Sequence, residues 1–234
     1  MFPFQKIKYT SINKIYTLFI LITFALQVNA SHISGGDITY TWVGPGANTY
    51  LITLNLYRDC DGITMTSSET VTCSSTCGGS VSVTVNLTNP NGNPPTGTEI
   101  SQLCNYQQST CNGGPYPGMQ MYTYEAVVDL SPACDTWTMS WSTCCRNIAA
   151  NVPTSSSDDI FIQTTLNNVT NPQNNSPVFT SLPIPYVCTN QPVNYSFGVF
   201  EPDGDSLTYQ FISGFVFGAA PLTYADHVSL PFKI

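Results

Sequence analysis

The run YTYEAVVDLSPACDTWTMSWSTCCRN, residues 122–147, decides the fold class. Tyr122, Tyr124, Ala126, Val128 and Leu130 fall on one face, the period of a half-buried strand. After a turn at Ser131-Pro132-Ala133, Trp137, Met139 and Trp141 alternate with Thr136, Thr138, Ser140 and Ser142. Proline donates nothing to a sheet ladder, so it belongs between strands. Two of the chain's three tryptophans lie here, which marks the stretch as the seat of a core. Cys134, Cys144 and Cys145 bracket the second strand. The run holds no nucleophile–base pair and no phosphate-binding loop, so it reads as a stapled structural module.

The same period-2 pattern extends outward. Residues 38–42 make a short strand, and Tyr50, Ile52, Leu54 and Leu56 share one face of another. Val81, Val83, Val85 and Leu87 give the cleanest alternation in the chain, and 160–166 closes the series. Between them NPNGNPPTG, residues 89–97, reads as a loop. No helical spacing competes, and 17 Pro and 16 Gly interrupt the chain throughout. Many short strands at this spacing predict an all-β fold, a disulfide-stapled β-sandwich over residues 31–166. The polar run NNVTNPQNNS, 167–176, reads as a linker. A second Ig/cadherin-like sandwich is expected over 177–234, with strands at 193–200 and 207–212. Such a domain takes roughly 100 residues, so this one is expected to be truncated.

Residues 1–30 read as a secretory signal peptide: Lys6, Lys8 and Lys14, a short apolar run at 15–26, then Val28-Asn29-Ala30. The apolar run is too short for a stable membrane span, so no membrane insertion is expected after cleavage. The mature part keeps Arg58, Arg146 and Lys233 against all 14 acids, a net charge near −11. Such a chain cannot neutralise nucleic-acid phosphates or anionic lipid.

All nine cysteines lie in the mature part, and in an exported chain they read as disulfides. Cys73 with Cys77 and Cys104 with Cys111 are expected as local staples. Cys60 and Cys134 would then pair with Cys144 and Cys145 in either order, leaving Cys188 odd. Arg58 and Arg146 each adjoin a cysteine and are expected to form structural ion pairs with Asp59, Asp129 or Asp135. The loop EPDGD, 201–205, offers three carboxylates and a glycine, a calcium-like pattern that a solvated acidic turn would equally produce. Neither histidine has a plausible setting as a general base: His32 is two residues from the expected mature N-terminus and His227 lies in the tail expected to be truncated, so the chain reads as non-enzymatic.

SHISGGDITY (31–40), LYRDC (56–60), the block ending in CCRN, and NNSPVF with EPDGDSLTY (174–209) carry a resemblance. Together they resemble the N-terminal region of large, gliding-associated surface proteins that Bacteroidetes export by the type IX route. The resemblance implies a secreted, adhesin-like role at the cell surface, with Ig-like, cadherin-like or PKD-like sandwiches following. The second segment resembles cadherin-like modules, which implies calcium through Asp203 and Asp205 first and Glu201 and Asn175 second. The partner expected is a surface glycan or protein held by a Tyr- and Asn-rich surface. The rival reading is the accessory, non-catalytic part of a secreted polysaccharide-active enzyme.

Overall fold

The computed structural model describes residues 32–46, 48–88, 96–149, 151–183, 186, 192, 194–196 and 198–225. Cys188, His227 and the leader 1–30 lie outside them. The described residues are almost wholly β. The strands are β1 (Ile33–Trp42), β2 (Thr49–Asp59), β3 (Ser68–Ser74), β4 (Ser80–Leu87), β5 (Thr98–Glu99) and β6 (Met119–Asp129). After them come β7 (Trp137–Cys144), β8 (Asp159–Leu166), β9 (Val178–Phe179), β10 (Val199–Phe200), β11 (Phe215–Val216) and β12 (Ala220–Pro221).

Ten of these strands form one antiparallel sheet in the order β1-β2-β6-β4-β3-β7-β8-β11-β12, with β5 beside β6. The sheet curls into two layers. β4 makes the corner, since residues 80–86 pair with β3 while Asn86 and Leu87 pair with Glu125 and Tyr124 of β6. β1 then comes back against the β7–β8 region of the sheet, with Ile33 bridging Arg146 just after β7. Gly36 marks this approach: a Cβ there would lie 2.5 Å from the Asn55 carbonyl oxygen and 2.7 Å from Ile162 Cδ1. Gly36 in SGGD therefore makes room for sheet closure, at the entropic cost glycine carries in a strand.

The alternating residues fill the space between the layers. Tyr50, Ile52, Leu54, Leu56, Tyr122 and Tyr124 are fully buried from one layer; Val71, Val85, Trp137 and Met139 answer from the other. Buried phenols need partners. Tyr50 Oη donates to the Pro172 carbonyl (2.7 Å) and Tyr124 Oη to the Thr66 carbonyl (2.9 Å). Trp137 Nε1 donates to Pro132 O and Trp141 Nε1 to Glu69.

SETVTCS is also a strand, β3, whose Val71 and Cys73 face the core. Two expectations need correction. The run 167–176 is no free tether. Asn168, 1% exposed, accepts the Cys134 N–H at 2.6 Å and donates to Leu130 O at 3.0 Å, while Ser176 exchanges hydrogen bonds with the backbone of Tyr40. Nor does the chain beyond 177 stand apart. β11 pairs with β8 through Phe215 and Phe161, so the β11–β12 hairpin extends the first sheet. The strand expected at 207–212 has no ladder; among the described residues of 193–200, Val199–Phe200 pair with Val178–Phe179.

Candidate functional site

Two of the three disulfides among the described residues are long-range ties. Cys60 bonds Cys111, Cys77 bonds Cys134, and Cys144 bonds its neighbour Cys145. Cys73 and Cys104 carry free thiols, one buried and one exposed. None of the expected pairings forms. Cys73 cannot reach Cys77 because the strand continues to Ser74, which turns Cys73 into the core opposite Met139. Cys77 lies in the following turn, against the turn that carries Cys134. Cys111 is taken by Cys60 rather than Cys104: the Cys60 N–H donates to Gly118 O at 2.9 Å, and Gly118 lies directly against the Cys111 sulfur. Buried Cys73 has its thiol pushed up to about 11 by desolvation, which keeps it neutral and unreactive. Disulfides of this kind form in an oxidising compartment.

Among the described residues neither arginine forms the ion pair expected with Asp59, Asp129 or Asp135. Arg58, 7% exposed, directs its guanidinium to the carbonyls of Cys60, Gly62 and Ile63 and to Gln120 Oε1 (2.8 Å). The fork thus closes the turn that carries Cys60. Arg146 donates to the carbonyls of Asp159 (2.9 Å) and Phe215, clasping the end of β8 to β11. Burial draws its pKa below the ordinary arginine value, opposed by the nearby charges of Tyr224, Asp158 and Asp159. Turn carbonyls left by an irregular backbone are acceptors that a five-donor fork can serve at once, which is why no carboxylate is needed. LYRDC and CCRN also meet in space: Asn147 Nδ2 reaches Ser34 Oγ at 2.8 Å and Asp59 Oδ2 at 3.4 Å.

The acidic loop is tied to the edge of β1 through Asn175. Asp203 turns both oxygens on Asn175, taking its backbone N–H at 2.6 Å and its Nδ2 at 2.8 Å. Asn175 Oδ1 in turn accepts the Trp42 N–H at 2.9 Å. Glu201 accepts the Asp205 N–H at 2.7 Å. The oxygens of Glu201, Asp203 and Asp205 do not converge. Among the described residues the only three ligand-type groups within 4.8 Å of one another are Cys77, Cys134 and Asp135, whose two sulfurs are bonded together. The arrangement fits a turn docked on the edge of β1 through Asn175. His32 gives its carbonyl to the Asp59 N–H and packs against Gly62.

What remains is the loop between β5 and β6, which periodicity could not single out. It is pinned at several points: the Cys60–Cys111 bond, the Thr110 N–H on Tyr116 O (2.7 Å), the Gly114 N–H on Ser109 O (2.8 Å), and a single 3₁₀ turn over Thr110–Asn112. Glu99 accepts from Ser109 Oγ and Asn112 Nδ2. On this base Tyr106 stands 100% exposed and Tyr116 41% exposed. Beside them lie two adjoining depressions of about 420 and 470 Å³, which share Asn105, Gln107 and Gln108. Arg58, Cys60 and Cys111 form a continuous rigid path from the core to this platform. Among the described residues no helix is long and apolar enough to cross a membrane. No protein-family model, curated protein or solved structure matches the chain.

Proposed function

We propose that this chain is a non-enzymatic, extracellular recognition module at the outer end of an adhesin-like surface protein, of the gliding-associated kind exported by the type IX route. The observation that carries the reading is Tyr106: a fully exposed aromatic ring on a loop that a disulfide and a buried arginine hold to the core. Burying such a ring against a partner is favourable, and a pinned loop loses little entropy in doing so. The remaining sandwich serves as a rigid mount, its layers tied by Cys77–Cys134.

Beads coated with the mature chain are expected to adhere to bacterial or polysaccharide-coated surfaces. Exchange of Tyr106 and Tyr116 for alanine should reduce retention several-fold with no change in the melting curve. Adhesion that survives both substitutions contradicts the reading. So does release of reducing sugar from the coated surface, since that would make the chain an enzyme.

Calcium enters this proposal only at the 201–205 loop, where the ion must displace Asn175 from Asp203. Burial raises the pKa of Tyr40, with the charges of Asp203 and Glu201 adding to it. An extracellular-type site with Kd on the order of 0.5 mM stabilises by about 1.4 kcal/mol at 5 mM calcium. The matching rise in Tm is about 3–5 °C over chelator. Coincident melts remove calcium from the account.

A further inference from the structure

Resting on the recognition reading above, we infer that the β5–β6 loop takes neutral carbohydrate, with Tyr106 as the stacking platform. The chemistry of the lining selects this class. Sugar rings present C–H groups on one face and hydroxyls around the rim; an exposed phenol ring meets the first and amides meet the second. Asn105, Gln107 and Gln108 supply those amides, each able to donate and accept. No Lys or Arg lines either depression, and the single acid, Glu99, already holds Ser109 and Asn112. An anionic saccharide would therefore find no cation to pair with.

The rest of the chain argues in the same direction. A mature net charge near −11 repels uronic, sulfated or phosphorylated polymers at long range. Nucleic acid is excluded by the same field, although its bases would also stack on tyrosine. A protein ligand would be expected to use an apolar anchor pocket, whereas these depressions expose more polar than apolar surface. The loop is preorganised: Gly114 packs against the Gln108 carbonyl so closely that a Cβ would lie 2.0 Å from it, which fixes Gln108 beside Tyr116. Individual contacts of this type are weak, so repeated sugar units and many copies on one cell would supply the avidity.

The test uses the secreted full chain in affinity electrophoresis through gels containing neutral polymers (xylan, mannan, mixed-linkage glucan) or acidic ones (alginate, polygalacturonate). Retardation by at least one neutral polymer is expected, with none by the acidic pair. Tyr106→Ala should weaken it at least tenfold, Tyr106→Phe should retain it, and Tyr209→Ala, an exposed ring elsewhere, should leave it unchanged. Near-ultraviolet circular dichroism confirms that the variants are folded. Retardation only by acidic polymers, or retardation indifferent to Tyr106→Ala, overturns the inference. Bead adhesion that persists on periodate-oxidised surfaces also overturns it and points to a protein partner, while leaving the recognition reading in place. Loss of bead adhesion on every surface removes both.

Discussion

Cys77→Ser together with Cys134→Ser lowers the unfolding free energy by about 4 kcal/mol, the loop-closure value for cysteines 57 residues apart. The bond ties the β3–β4 turn to the β6–β7 turn, so without it the unfolded chain regains the freedom of both layers. The native turn should stay in place, because Asn168 independently holds the N–H and the carbonyl of residue 134. The loss therefore belongs to the unfolded state, and tryptophan fluorescence of the folded protein should be unchanged. Urea unfolding checks the number. A matched control is Cys144→Ser with Cys145→Ser, which opens a loop of one residue and should cost about 1 kcal/mol or less. Equal losses in the two double variants would contradict the cross-layer role of Cys77–Cys134.

Alkali should unfold the protein cooperatively between about pH 10 and pH 12. Burial raises Tyr50 to about 12 and lifts Tyr57 and Tyr124 further, with Tyr40 and Tyr122 also raised. In the unfolded chain tyrosine ionises near 10. Below that pH both states keep the phenols protonated and the stability is intact. As pH rises through 10 toward 12 the unfolded state sheds its protons first, and stability falls. Tyr50 alone, with no exposed surface, accounts for about 2–3 kcal/mol of this loss. Tyrosinate absorbance at 295 nm should lag behind a normal titration and then rise together with the loss of tryptophan fluorescence. Ionisation of every tyrosine near pH 10 with the fold intact would contradict the packing described. Asp37 works in the same sense at the acid end: burial raises its pKa above 3.8, so its share of stability falls as pH rises through that range.

Strands whose alternation was uninterrupted were legible, because a buried face imposes period 2 on the residues themselves. Tyr50 to Leu56, Tyr122 to Leu130 and Trp137 to Trp141 all face the core as the pattern implied. β3 was not legible, since Ser, Thr and a cysteine read as a polar staple until Val71 and Cys73 are seen under Met139. Asn168 and Ser176 were hidden for a related reason. A polar residue in a polar run carries no hydrophobic signal, and its burial comes from turn backbones it happens to satisfy. The β11–β12 hairpin was hidden because its partner is remote: Phe215 meets Phe161 across the intervening 201–205 loop. Disulfide connectivity depends on which turns the sheet brings together, and spacing alone cannot supply that. The Tyr106 platform showed only as a loop between two cysteines, because exposure leaves no period.

Non-reducing peptide mapping of the purified protein, with free thiols alkylated first in the native state and again after unfolding, tests the cross-linking of the layers. Cys60–Cys111, Cys77–Cys134 and Cys144–Cys145 are expected, with Cys104 alkylated natively and Cys73 only after unfolding. Local Cys73–Cys77 and Cys104–Cys111 bridges, or thiols free throughout, would contradict it.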